Sequence, residues 1–392
     1  MKHSQCQPFS QTPSLAVLFI SFLRLGATAF GGPAMVAYIH KMAVEQKHWL
    51  DEESFRSGVA LCQTIPGATA MQASAYVGLR VRGTWGAMVS FVGFGLPAFL
   101  LMMTLSALYV QTRHLSPVVS TFNGLQAIVV AIVARATVSF GRTSLKKWQD
   151  GLIAIVAAGM FGLKVSPILV ILLAALSTLV LYERQPIGQS RVDSPKKPYP
   201  LRNLFLLLSF AVIGFALLLL LDRKLFQLAA LMSRIDLFAF GGGYASVPLM
   251  FHEIVEVRSW MDGSTFLDGI ALGQVTPGPI VITATFVGYL LDGPLGGLIA
   301  TVAVFLPSFL MVVGIVPYFD RLRASASFHK AIGGVLCSFV GLLLSVTIRF
   351  ALNVPWDVPR AFLTSAAFIA LSLNVDVLWV VLIGSAISVT VF

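Results

Sequence analysis

The sequence predicts an all-α polytopic membrane protein made of two homologous halves of inverted topology, with broken or re-entrant helices. Three observations predict it. Of 392 residues, 57% are hydrophobic and 11% charged, where soluble chains carry about 25% charged residues. The apolar residues fall in long unbroken runs spread along the chain, unlike the short alternating strands of a β-barrel. The chain also repeats itself at a spacing of 210 to 211 residues.

In chain order, spans are predicted over 14–30, 84–110, 117–140, 150–164 and 165–183. The second half adds 203–221, 225–240, 294–318, 326–350, 358–373 and 374–392, about eleven full spans in all. The first is not read as a cleaved signal: Arg24 interrupts it and it has a counterpart at 234–242. The polar stretch ERQPIGQSRVDSPKKPYPLR, 183–202, reads as a cytoplasmic linker between repeats at 1–182 and 203–392. Two regions, 31–83 and 241–293, are apolar yet broken by Gly, Pro and charge, and fit no simple span.

The repeat is visible residue by residue. Ala29-Phe30-Gly31-Gly32 recurs as Ala239-Phe240-Gly241-Gly242 at a spacing of 210. One residue is then gained, and Glu45, Trp49, Asp51, Phe55, Gln63 and Pro66-Gly67 recur as Glu256, Trp260, Asp262, Phe266, Gln274 and Pro277-Gly278. The spacing returns to 210 for Gly83 with Gly293 and Pro97 with Pro307. Loop charge sets the relative orientation. Arg80 and Arg82 face a counterpart carrying Asp292, and Arg142, Lys146 and Lys147 face a loop with Arg360 alone. Basic-rich loops matched by poorer ones place equivalent loops on opposite faces, so the halves are inverted. The span 203–221 has no partner and is the extra crossing that turns the second copy over.

Two motif pairs carry the candidate chemistry. Arg24 and Arg234 sit in apolar runs, where a central Arg is unfavourable by about 2.5–3.5 kcal/mol. Each precedes a helix-breaking run, Gly31-Gly32-Pro33 and Gly241-Gly242-Gly243. The functional reading has both guanidiniums face a shared cavity and bind an anion, with opened helix ends donating backbone N–H groups. The competing readings are snorkelling arginines and close packing through small residues. In the second pair, CQTIPGATAMQ (62–72) and GQVTPGPIVIT (273–283), an apolar helix meets Pro-Gly and restarts. Gln63, Pro66, Gly67 and Gln72, with Gln274, Thr276, Pro277, Gly278, Pro279 and Thr283, supply turns and neutral donors; a purely structural hairpin is the alternative. Asp236, Glu45 and Glu256 are the candidates for ion coupling. Asp51 and Asp262 have the position of helix caps.

Composition also excludes. The net charge of +10 sits mostly in short loops with no aromatic-interleaved patch, so nucleic acid is not expected as a partner. The six histidines and three cysteines show no ligand spacing, and no phosphate-binding loop follows a strand. No metal, cofactor or enzyme activity is expected.

The motifs AFGGP, WLDEESF and PGATAMQASAYVGLRVRGTWG in the first half, and FGGGYASVPLM, DGIALGQVTPGPIVITATFVGYL and FLPSF in the second, resemble the chromate ion transporter family in its long two-domain form. The resemblance covers about residues 14–390. It implies a multi-pass protein of the bacterial inner membrane that exports chromate, with sulfate as an exchanged or competing anion and the proton motive force as driver. The family motifs fall on Gly31-Gly32-Pro33, Pro66-Gly67, Gly241-Gly242-Gly243 and Pro277-Gly278-Pro279. One departure stands out: many first halves read Pro-Gly-Pro followed by an acid, and here Ala68 and Thr69 follow Pro66-Gly67. The expected partners are therefore a chromate or sulfate-like oxyanion and the lipid bilayer. Direction, coupling ion and any homo-oligomer are left open.

Overall fold

The computed structural model describes residues 13–30, 34–181, 201–316 and 326–392. Gly31, Gly32, Pro33, and the linker from 183 to 200, lie outside the described residues. Among the described residues every regular element is helical.

The first half opens with α1 (Leu15–Thr28), then α2 (Ala34–His40), which passes into a π-helical turn at Lys41–Gln46. α3 (Glu52–Thr64) leads to the Pro66-Gly67 turn. α4 (Thr69–Thr112) is two helices joined by a kink at Arg82 and Gly83. α5 (Ser116–Ser144), α6 (Trp148–Gly162) and α7 (Pro167–Leu181) complete it. α8 (Leu201–Leu221) is the crossing without a counterpart. The second half then runs α9 (Arg223–Phe238), α10 (Ser246–Phe251) with a π-helical turn at His252–Val257, and α11 (Gly263–Val275). After the Pro277-Gly278 turn come α12 (Thr283–Ile315), α13 (Ala326–Asn353), α14 (Val358–Ser372) and α15 (Val377–Val391).

The repeat is reproduced in backbone geometry. Both π-helical turns recur at 211 residues, and α6 and α7 recur as α14 and α15 at 210. Left-handed His48 (φ 50°) matches Ser259 (φ 50°), and the kink at Arg82–Gly83 matches that at Asp292–Gly293. Asp51 and Asp262 cap α3 and α11, each accepting a backbone N–H three residues on at 2.8 Å. Such a cap stabilises a helix start by about 1 kcal/mol.

Span lengths differ from the sequence expectation. Five described helices are long and apolar enough to cross a membrane, those of 69–112, 116–144, 202–221, 280–315 and 330–353. The stretches expected as full spans at 14–30 and 225–240 are helices of 14 and 16 residues, and those at 150–164, 165–183, 358–373 and 374–392 are helices of 15 residues each. At 1.5 Å per residue they are about 21–24 Å long, short of the roughly 30 Å hydrocarbon core. The last four form two hairpins.

The hairpins are exchanged. α6 and α7 of the first half pack on α13 of the second, and α14 and α15 of the second pack on α5 of the first. Close approach through small residues holds both: Gly124 on α5 lies against Ser388, and its equivalent Gly334 on α13 against Thr178. α5 and α13 run antiparallel, with Gly141 against Val340. The equivalent residues Thr137 and Thr347 share a hydrogen bond of 3.1 Å where the two helices cross. Nearer the centre, α1 packs on α4, α9 on α12, and α4 on α12. This is a pseudo-twofold arrangement of two homologous, oppositely directed halves.

Candidate functional site

The Pro-Gly turns meet at the middle of the molecule. The Gly67 N–H donates to the Ala239 carbonyl at 2.8 Å, and the Gly278 N–H to the Ala29 carbonyl at 3.0 Å. The two bonds are equivalent under the repeat, so each turn is sewn to the broken helix of the other half. An unmet N–H there would cost several kcal/mol in a bilayer, so these bonds fix the central frame. The turns require glycine: φ is +112° at Gly67 and +103° at Gly278. Gly241, Gly242 and Gly243 are likewise left-handed, at +88°, +81° and +99°, which breaks the chain after α9.

Beside these turns lies a cavity of about 1610 Å³. Gln63, Thr69, Gly241, Gly242, Gln274, Thr276, Gly278 and Pro279 line it, so both motif pairs and both halves contribute. Its walls run along α5 from Ile132 to Ser144 and along α13 from Lys330 to Leu343. Its rim is basic: Arg56, Arg135, Lys146, Lys147 and Lys330 outnumber Glu52, Asp150 and Asp376. Arg56 is held by Glu52 at 2.8 Å, and the His40 ring sits 2.6 Å from the same carboxylate. That hydrogen bond from His40 holds the Glu52 carboxyl below its ordinary range.

Two features of the wall offer unused donors. The Gln274 Nε2 is buried without a hydrogen-bond partner among the described residues. α4 begins at Thr69 without a side-chain cap, and Thr69 and Ala70 line the cavity. An uncapped first turn presents free N–H groups and the positive end of the helix dipole. The matching start, through the turn Ile280–Ile282 into α12, is likewise without a side-chain cap. The Thr283 hydroxyl donates to the Ile280 carbonyl at 2.9 Å within a short 3₁₀ turn, Ile280–Ile282.

Other expected site residues have structural roles. Gln72 is fully buried and its Nε2 donates to the Pro66 carbonyl at 2.5 Å, stapling the first turn. The Thr276 hydroxyl donates to the Gly273 carbonyl at 2.9 Å. Pro66, Gly67, Pro277 and Gly243 shape the turns and glycine run without facing the cavity.

Arg24 and Arg234 require correction, because neither lines the cavity. Arg24 is exposed on α1. Arg234 is ion-paired with Glu253, which Arg258 also approaches at 3.7 Å. Helical phase aligned each Arg with the glycine run but said nothing of the carboxylate waiting on the next element.

The acidic candidates separate. Glu45 is exposed and lies 3.3 Å from His40. Glu256 is largely buried, bound by His252 at 2.8 Å and by Arg349. Asp236 is fully buried and accepts the Ser308 N–H at 2.7 Å and the Ser308 hydroxyl at 2.7 and 2.9 Å. Ser308 in turn abuts Gly67, where a Cβ would lie 1.8 Å from its Oγ. In the other half Gly26 and Ala98 occupy the equivalent places, so the acid touches one turn and not the other. A further buried acid escaped the sequence reading. Asp268 on α11 accepts from Tyr109 and Gln126, each at 2.8 Å. Its counterpart is Ser57, so no repeated acid marked it.

Among the described residues no cluster of His, Cys, Asp and Glu has the makings of a metal site. Cys62 and Cys337 are buried free thiols.

The chromate transporter family model matches this chain twice, over residues 16–179 and 226–389. The chain is 44% identical over 374 residues to an uncharacterized transporter of Methanocaldococcus jannaschii, covering 95% of this chain and 93% of that one. It is 31% identical over 361 residues to the chromate transport protein of Cupriavidus metallidurans, covering 90% and 86%. To a probable chromate transport protein of Synechococcus elongatus it is 30% identical over 362 residues, covering 91% and 90%. No solved structure matches the chain. The two family matches fall one on each half of the pseudo-twofold helical frame: this multi-pass membrane protein belongs to the chromate transporter family and carries two copies of its unit.

Proposed function

We propose that the protein exports chromate, or a related tetrahedral oxyanion such as sulfate, across the plasma membrane by secondary active transport, giving chromate resistance. The observation that carries this reading is the central cavity, lined by Gln63 and Gln274 of the two Pro-Gly motifs and by the uncapped start of α4. Neutral donors and a helix dipole hold an oxyanion while still letting it leave. The named relatives of Cupriavidus and Synechococcus point to chromate as the first anion to test.

Lys146, Lys147 and Lys330 are among the lining residues of the cavity, and by the positive-inside rule we assign that basic rim, and the mouth of the cavity, to the cytoplasm. Thr178 donates to the Lys330 carbonyl at 2.8 Å, so α7 ends beside that rim. A cavity open to the cytoplasm loads from the cytoplasm, as export requires. Asp236 is the coupling residue in this reading. Its hydrogen-bond partner, Ser308, is neutral and leans on the Pro66-Gly67 turn, so a proton taken or lost there bears on the turn that leads into Thr69 and Ala70 of the cavity lining.

The test is a competition panel of chromate, sulfate and molybdate in inside-out vesicles, with and without a pH gradient. Saturable, gradient-accelerated chromate uptake supports the reading. Unsaturable flux that follows voltage alone would identify a channel. Asp236→Asn is expected to keep anion exchange and lose the acceleration by the pH gradient; undiminished acceleration would remove Asp236 from coupling.

A further inference from the structure

With Arg24 and Arg234 absent from the cavity, the pseudo-twofold singles out one of the basic side chains that do line it. The equivalents of Arg135 and Arg349 under the 210-residue repeat are Ser345 and Ser139. α5 therefore reads Arg-then-Ser where α13 reads Ser-then-Arg, the two arginines displaced by one helical turn. Despite that displacement they reach the same place. Arg135 Nε donates to the Leu371 carbonyl at 3.3 Å, and Arg349 donates to the Phe161 carbonyl. Leu371 and Phe161 are equivalents, near the ends of the exchanged helices α14 and α6.

The two sites differ in what fills them. Arg349 is bound to the carboxylate of Glu256, itself held by His252 at 2.8 Å, and the site is closed. Arg135 lines the cavity, and no carboxylate pairs with it among the described residues. The residue equivalent to Glu256 is Glu45, which has turned away to His40 at 3.3 Å. Ser139, in the place of Arg349, also faces the open cavity. One half thus displays an arginine with a carboxylate seated on it. The other displays an arginine in the same frame with open space in front.

We propose that Arg135 is the cationic anchor of the transported oxyanion in this conformation. Arg349 is its equivalent in the opposite conformation, occupied here by Glu256 as an internal stand-in for the anion. A guanidinium that accepts a carboxylate accepts a tetrahedral oxyanion through the same planar fork. The carboxylate closes whichever end is not loading. This rests on the oxyanion-transport reading above.

The test uses the full-length protein, with labelled chromate and sulfate as probes, for equilibrium binding in detergent and for flux in proteoliposomes. Arg135→Gln is expected to weaken binding by about 30-fold or more, with an unchanged unfolding temperature. Arg135→Lys, which keeps charge and loses the fork, is expected to fall between. Arg349→Gln is expected to keep binding within about threefold, since Arg135 still serves, and to lose flux. Wild-type binding that survives intact in Arg135→Gln overturns the anchor, and full flux in Arg349→Gln overturns the alternation. If the wild type binds neither probe, the oxyanion reading itself falls, and the anchor with it. Should Arg135→Gln fold poorly, loss of binding in Arg135→Lys at wild-type stability supports the anchor in its place, and unaltered affinity in it overturns the specific use of the fork.

Discussion

Gln274 and Gln72 are both amides with a buried side-chain nitrogen or oxygen, yet their consequences are opposite. The Gln274 Nε2 has no hydrogen-bond partner to lose among the described residues, so Gln274→Leu is expected to weaken oxyanion binding by about 10-fold and leave thermal stability nearly unchanged. Gln72 staples the Pro66 carbonyl, so Gln72→Leu strands a buried acceptor and is expected to destabilise by about 1–3 kcal/mol. Thermal unfolding alongside binding separates the two. The sequence marked both glutamines as polar groups beside a Pro-Gly turn, but which amide was already committed depends on backbone geometry. The arginines teach the converse. Arg24 and Arg234 stood out because they align under the repeat, and Arg234 proved to be neutralised by Glu253. Arg135 and Arg349 align with serines, so a search for repeated identities passes over both.

At the level of elements, the Pro-Gly turns were readable because glycine and proline impose backbone conformations that no neighbour overrides. Their unequal surroundings were not. A Cβ on Gly67 would fall 1.8 Å from Ser308 Oγ, whereas one on Gly278 would meet Ala98 Cβ at 2.9 Å. Both also have the strain of positive φ, so Gly67→Ala and Gly278→Ala are each expected to destabilise by more than about 1 kcal/mol, Gly67→Ala the more. Unfolding temperatures of the purified variants check the order. The short hairpins were misread as full spans for a physical reason: composition reports apolarity, and the runs at 150–183 and 358–392 are apolar throughout. Their breaks, at left-handed Lys164 and Asn374, fall where the sequence already divides the runs, so it is the length of each arm that composition does not report.

For the whole molecule, inversion and exchange of hairpins set what can move. Because α6–α7 lies on α13 and α14–α15 on α5, a rigid rotation of residues 1–182 against 203–392 would tear both hairpins from their seats. Under the transport mechanism proposed above, the moving bodies would therefore cut across the sequence halves. Cysteines at positions 82 and 292, both exposed at the equivalent kinks, are expected to label from opposite faces of the membrane. The same interlock predicts that two fragments, 1–182 and 203–392, expressed together restore oxyanion flux, while either alone yields no stable monomer. Recovery of a monodisperse, helical single fragment would contradict it. Inversion was legible because loop charge records it. Exchange was not, since nothing in a hairpin's own sequence says which copy of the receiving helix it will choose.

The hydrogen bond between Thr137 and Thr347 has a consequence of its own. A residue meets its own equivalent only across a twofold axis, and such self-contact is the mark of an isologous interface between identical subunits. Inside a single polypeptide the same contact joins two halves of one chain, so the fold has the geometry of a dimer of half-length units joined through α8. Two like hydroxyls on the axis cannot both donate, so one gives its proton and the other receives it. That single proton makes the two halves unequal even at the point where their side chains are the same.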